Sequence, residues 1–187
     1  MTTVSGKYVA FWGGIFSNWY PCHFKYDGFV WSSSEQCFMA LKAKYFGDEE
    51  IYEEIKANGD NPKEAKKLGR KVKGFDSAKW DEVKEQMMYD ACFAKFSQNE
   101  GLKKFIFDPE FEGKHFVEGS PVDRIWGCGV YWCDDIVHDE KAWTGLNLLG
   151  KTLDKVRENL KEDKNELVNY SHLKEGASCK KSLNNKF

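Results

Sequence analysis

No stretch of this 187-residue chain approaches the ~20 consecutive apolar residues that a bilayer-crossing helix needs, which excludes a helical membrane protein and predicts a soluble one. The N-terminus lacks the basic-then-apolar layout of a signal peptide. The six cysteines, at 22, 37, 92, 128, 133 and 179, include no Cys-x-x-Cys pair. Together these absences predict reduced, mostly buried thiols in an intracellular, cytoplasmic protein. Cys128, Cys133 and His138 suggest metal ligands, but their spacing matches no common zinc pattern and a second ligand pair is missing. No metal and no organic cofactor are expected. Charge of one sign is lacking too: 28 Lys and Arg against 30 Asp and Glu leave a formal net charge of −2, so no overall basic field draws the chain to nucleic acid. Neither a Walker loop, a Rossmann fingerprint nor an internal repeat is present.

Aromatic residues are abundant at 16%, which fits both an aromatic core and a pocket with flat walls for a ring-shaped ligand. The length suits one domain with a proper core. Lys7 to Trp12 is rich in β-formers, and two short strands, His23 to Tyr26 and Phe29 to Trp31, flank the hairpin signal Asp27-Gly28. Helices are expected from Glu35 to Phe46 after a serine cap, Glu49 to Ala57, Pro62 to Gly69, Asp76 or Ser77 to Phe96, and Glu100 to Phe107. A strand returns at His115 to Val117, a Gly/Pro/Asp-rich loop runs to Gly129, and Leu148, Leu149, Leu153, Val156 and Leu160 mark a last amphipathic helix. The expected architecture is α+β: a mainly α-helical single domain over residues 1–160 with a small β-sheet. Residues 161–187, polar and Lys-, Asn- and Ser-rich, are expected to form a loosely held tail.

Four segments look unlike scaffold. In Ser32 to Lys42, Glu35 and Lys42 are seven residues apart, which returns both to one helix face about two turns apart. An acid for proton or water handling and an amine nucleophile facing one cleft are the groups that open a sugar–nitrogen bond. Phe16-Ser17-Asn18-Trp19 is a short turn with an indole. Lys66 to Gly74 packs five basic side chains into eight positions, either a solvated face or a phosphate-holding edge in which Arg70 is best suited to bidentate contact. Val117 to Gly129 places Glu118, Asp123, Arg124 and Trp126 among glycines, with Gly127 and Gly129 permitting close backbone approach to a ligand. Further on, Gly145 to Lys151 opens the last helix, where free N–H groups suit an anion and Asn147 suits a plain cap equally. Structural readings compete throughout: Trp80 sits on a core stripe, Glu35 favours a helix N-terminus, and Glu118 suits a pair with Arg124.

Taken in order, Phe16-Ser17-Asn18-Trp19, the pattern Trp31-x-Ser33-x-Glu35-x-x-Phe38-x-Ala40-x-Lys42, Leu68-Gly69-Arg70, Trp80 with Val83 to Met88, Glu118 to Gly129, and Gly145-x-Asn147-x-Leu149-Gly150 resemble the NADAR, or YbiA-like, N-glycosidase family. The likeness runs from about residue 11 to residue 160. It implies a compact, largely helical α+β fold and cleavage of N-glycosidic bonds in ribosylated amines or bases. Two substrate classes are implied, phosphorylated ribosylamine intermediates of riboflavin synthesis and ADP-ribose attached to guanine in nucleic acid. The partner is therefore a small nucleotide-like substrate or an ADP-ribosylated nucleic acid, with no membrane. The family motifs coincide with Glu35, Lys42, Trp80, Glu118, Asp123, Trp126 and Asn147.

The expected mechanism has Lys42, its pKa lowered by partial burial, attack the anomeric carbon to give a ring-opened Schiff base while Glu35 shuttles protons and activates water. Glu118 or Asp123 holds ribose hydroxyls or assists the water; Trp126, Trp80 or Trp19 stacks on the base; Asn18, Gly127 and Asn147 complete the substrate-binding set; and Arg70 takes phosphate. A direct-hydrolysis version uses Glu35 as general base and Lys42 as an electrostatic helper. A non-catalytic ADP-ribose or NAD-binding module and an interaction protein using the basic tail are the competing functions.

Overall fold

The structure, a computed structural model, describes residues 1–162. The segment expected to be a loose tail therefore lies outside the described residues from 163 onward, as does Cys179. Five strands and six helices follow in the order β1 (Thr2–Ser5), β2 (Tyr8–Phe11), β3 (Phe24–Tyr26), β4 (Phe29–Trp31), α1 (Ser34–Tyr45), α2 (Glu49–Ala57), α3 (Pro62–Gly69), α4 (Ser77–Gln98), α5 (Glu100–Ile106), β5 (His115–Glu118) and α6 (Leu148–Lys161). The result is the mixed α+β arrangement expected, dominated by helix. Strand β1, too polar and too close to the terminus to carry a pattern, is an addition.

The sheet order is β1-β2-β5, with β1 antiparallel and β5 parallel to β2, so Phe11 and Glu118 are register partners at the same end. Strands β3 and β4 form the expected hairpin, with Asp27 (φ 51°) and Gly28 (φ 77°) both in the left-handed region that a two-residue type I′ turn requires.

Helix α1 is the central pillar. It packs on α2, α3 and α4, and Ser34 to Leu41 are all buried, so it carries no solvated face in its first two turns. Helix α4 changes character along its length: its first turns are amphipathic, and then Met87 to Phe96 are buried on every side. Two charged groups, Asp90 and Lys95, are carried into that buried half. Phe16 is wedged from the 12–20 loop into a cluster of Phe11, Phe96, Phe105, Phe111 and Phe116 rings. No described helix is long and apolar enough to cross a membrane.

Candidate active site

A cavity of about 1000 Å³ opens beyond the carboxyl ends of the parallel strands β2 and β5. Trp12 and Gly13 continue from β2 into one wall, and Glu118 and Ser120 continue from β5 into the floor. Strand ends are where side chains leave the hydrogen-bonded ladder yet keep a fixed origin, which is why ligand sites gather there in α/β sheets.

Glu118 is held at this position by its own backbone. Its N–H donates to Asn147 Oδ1 at 3.0 Å, and its carbonyl accepts from Ser120 N and Cys128 N, each at 2.9 Å. Asn147 also donates through Nδ2 to Phe116 O at 3.0 Å, so one buried amide clips the end of β5 to the start of α6. Its left-handed backbone (φ 51°, ψ 41°) is a conformation that Asn tolerates better than most residues. Burial, with the Asp123 carboxylate nearby, pushes the Glu118 carboxyl up to about 7, opposed by Lys66.

Glu35 enters from the opposite side, in the first turn of α1 after the Ser33 cap. It is 5% exposed, and burial pushes it too up to about 7. Lys66, a hydrogen bond from the Trp19 side chain and Arg70 pull it down, while Asp123 pushes it up. The backbone N–H of Glu35 donates to Asn18 O at 3.0 Å, which ties α1 to the loop carrying Asn18 and Trp19. Two carboxyls raised to about 7 line one cavity, and the Glu35 charge is among the causes that raise Glu118; groups so poised are suited to acid–base work near neutrality.

Asp123 braces its own loop. Oδ1 accepts from Ile125 N at 3.1 Å and Trp126 N at 2.9 Å, while Oδ2 reaches Lys66 Nζ at 3.6 Å. Trp126 rests edge-on against Phe38, with centroids 5.2 Å apart, and offers the rest of its ring to the cavity. The fourth wall is α3. Pro62 at its first position and the Asn61 cap start it, Ala65, Leu68 and Gly69 bury one face, and the other face presents Lys63, Lys66, Lys67 and Arg70. The basic run thus splits: Lys73 pairs with Glu50 at 2.6 Å, away from the cavity. Among the described residues no group of three or more His, Cys, Asp and Glu side chains is gathered as for a metal ion.

Of the expected site residues, Asn18, Trp19, Glu35, Arg70, Glu118, Asp123 and Trp126 line this cavity. Four do not. Lys42 does share the angular face of Glu35, but its two turns of rise carry it past the cavity. There its Nζ donates to Gly69 O at 2.8 Å, satisfying a carbonyl of the last turn of α3, and lies over the rings of Phe75 and Trp80. Trp80 packs against Phe38 and Phe46, following the structural reading. Gly127 gives its space to the loop itself, since a Cβ there would lie 2.6 Å from both Asp123 O and Ser120 Cβ. Asn147 makes no cap hydrogen bond and braces Glu118 instead.

Nor is the start of α6 an anion site. The N–H groups of Leu146, Asn147, Leu148 and Leu149 all donate to the carbonyls of the 124–127 loop. Sequence reasoning missed Trp12, which it took for a strand end, and the buried Lys95. It set Lys66 in a phosphate edge rather than beside the carboxylates. The only signal for Lys66 was the alternation of exposed and buried positions along α3.

Comparisons with known proteins return one family and one fold. The NADAR domain profile matches residues 10–161. Protein irg-1 of Caenorhabditis elegans is 38% identical over 78% of this chain and 75% of its own length. An N-glycosidase of Acanthamoeba polyphaga mimivirus is 39% identical, covering 81% of this chain and 95% of its own. N-glycosidase YbiA of Escherichia coli K12 is 33% identical over 81% and 84% respectively. The solution NMR structure of the Escherichia coli protein YbiA superposes with a TM-score of 0.68 at 30% identity, covering 91% of this chain and 94% of that one.

Proposed function

The chain belongs to the NADAR domain family, and on that premise we propose that it is an N-glycosidase, a hydrolase that opens the N-glycosyl bond of a ribosylated amine or base. The observation that carries this reading is the convergence of Glu35 and Glu118, both raised to about 7, on one cavity with Asp123 and a basic wall. Breaking a ribosyl C–N bond builds positive charge on the anomeric carbon and negative charge on the leaving nitrogen. Near neutral pH one carboxyl of the pair holds the proton that the leaving nitrogen needs. The other, ionised, stabilises the carbon and takes a proton from the attacking water. Asp123 and Asn18 hold the ribose hydroxyls, and Trp126 with the exposed rings of Trp12 and Trp19 flanks the base. Lys63, Lys67 and Arg70 bind phosphate, Arg70 being suited to two parallel hydrogen bonds.

Of the three lysines lining the cavity, Lys66 is the one whose charge acts on both Glu35 and Glu118, so we assign an imine route to Lys66 rather than to Lys42, whose amine is engaged by Gly69 O. Borohydride trapping followed by peptide mapping reads the difference. An adduct on Lys66 supports the covalent form, the absence of any adduct supports direct hydrolysis, and an adduct on Lys42 overturns the site as drawn.

The basic wall supports a phosphorylated substrate, either a phosphorylated ribosylamine of riboflavin synthesis or ADP-ribosyl-guanine in nucleic acid. The cavity volume, at the upper end of small-molecule sites, and the two exposed indoles at its mouth favour the larger of these. The deciding experiment is a chromatographic assay of both classes with wild type and Glu35→Gln. Product from wild type and none from the variant supports the reading. Tight ADP-ribose binding with no turnover of either class instead makes the chain a binding module. Activity that falls steeply with salt on an oligonucleotide alone assigns the nucleic-acid substrate.

A further inference from the structure

One buried charge has no part in the chemistry above. Lys95, in the last turns of α4, is 1% exposed and pairs with no carboxylate among the described residues. Its ammonium donates to Ile15 O at 2.7 Å and Ser17 O at 2.9 Å, and lies over the rings of Phe96 and Tyr20. The titratable groups facing it are the thiols of Cys22 and Cys92, and burial lowers its proton affinity. Taking an ammonium out of water is costly, and a methionine of similar length would fill the space without that penalty.

The two carbonyls explain the charge. They flank Phe16, whose ring is drawn into the aromatic core, and anchoring that ring pulls both carbonyls away from water. Lys95 satisfies both and so fixes the orientation of the peptides on either side. The next residues carry that orientation to the cavity: Asn18 O accepts from Glu35 N at 3.0 Å, and the Trp19 side chain hydrogen-bonds Glu35. Asn18 also accepts from Cys92 Sγ at 3.6 Å, one turn before Lys95 on the same helix.

We propose that Lys95 is a positioning residue for the reaction: from behind the cavity wall, its ammonium sets the 15–19 loop so that Asn18 and Trp19 meet Glu35. The inference rests on the glycosidase reading for its kinetic arm but not for its structural one. In the full chain carrying Lys95→Met, amide exchange across residues 12–20 rises ~10-fold or more while α4 and α6 keep their protection. The same variant loses ~10- to ~100-fold in kcat, as a displaced loop demands.

Acting through Trp19, it is also non-additive with it. The double variant with Trp19→Phe is no slower than the slower single one, whereas a general loss of stability multiplies the two effects. Lys95→Gln, which keeps an amide donor, gives smaller changes of the same kind and serves where the methionine variant does not fold. Wild-type exchange across 12–20 in either folded variant, or effects that multiply, overturns the proposal. Exchange needs no substrate, so inactivity of the wild type on every N-glycoside would remove the function while leaving the loop result to stand.

Discussion

The acidic and basic linings of the cavity are built on opposite principles. The acid wall is the drier and more immobilised one: Glu35 is buried in the first turn of a helix with no solvated face there, and the half-buried Glu118 is pinned through both its N–H and its carbonyl. The basic wall is a short helix whose cations stand in water, with Lys63, Lys67 and Arg70 all exposed. Desolvation shifts the protonation of the first and leaves the second as a field and a set of donors. On the proposed function, chemistry is assigned to the drier wall and capture to the wetter one. The contrast is one of burial more than of charge sign, because Asp123, less buried, is occupied as a loop brace and as the partner of Lys66.

That contrast breaks most readily at the acid wall. Glu35→Gln, and separately Glu118→Gln, should lower kcat roughly 100- to 10,000-fold with unchanged circular dichroism, the range for loss of a positioned acid or base. Equal activity in either variant removes it from the chemistry. The same groups set pH dependence. An unfolded glutamate titrates near 4.5 while Glu35 in the fold titrates at about 7, so between those values the native state keeps a proton that the unfolded chain has released. Stability therefore falls as pH rises through that window. Glu35→Gln should be more stable than wild type at pH 8 by on the order of 2–3 kcal/mol, a gain that vanishes below about pH 4.5. Urea melts at the two pH values read it, and an equal difference at both denies the desolvated carboxyl. Activity should follow a bell centred near neutrality that loses one limb in each variant.

The basic wall should break more gently. Removing Lys63, Lys67 and Arg70 together by alanine should lower kcat/KM ~10- to ~100-fold at low ionic strength, mostly through KM, and far less in high salt. A fall in kcat as deep as that of Glu35→Gln would put these cations in the chemistry. Asn147→Ala sharpens the comparison from behind the acid wall. It leaves Glu118 N and Phe116 O without a partner, which should cost ~1–3 kcal/mol in thermal or urea unfolding and displace Glu118 enough to lower kcat ~10-fold. Lys42→Met should do least. Its amine is engaged by Gly69 O and the rings of Phe75 and Trp80, outside the cavity lining, so kcat should stay within about twofold while stability drops by about 1 kcal/mol.

Much of this was legible without coordinates, for local reasons. The Asp27-Gly28 hairpin, the Ser33 cap of α1, Pro62 at the start of α3 and the Asp76 cap of α4 are decided by dihedral preference and by side chains within three residues. Cavity residues carried on loops beside glycines, such as Glu118, Asp123 and Trp126, stood out because charged and aromatic groups there have little scaffold use. Lys42 shares the helix face of Glu35 but not the cavity lining, because helical periodicity reports angle and says nothing of where a cavity ends along the axis. The placement of Asn147 and Gly127 behind the lining was not legible because their partners, the 116–118 and 120–123 backbones, come from elsewhere in the chain.

By itself, then, the chain's order of residues determined its helices, its hairpin and the kinds of groups that would meet, since these depend on neighbours a few positions away. Which carboxyls are dry enough to titrate near neutrality, which lysine stands beside them and which amide or ammonium holds them there were decided only by tertiary packing. Desolvation and long-range hydrogen bonds are properties of what the fold brings together from distant positions, and no local pattern encodes them.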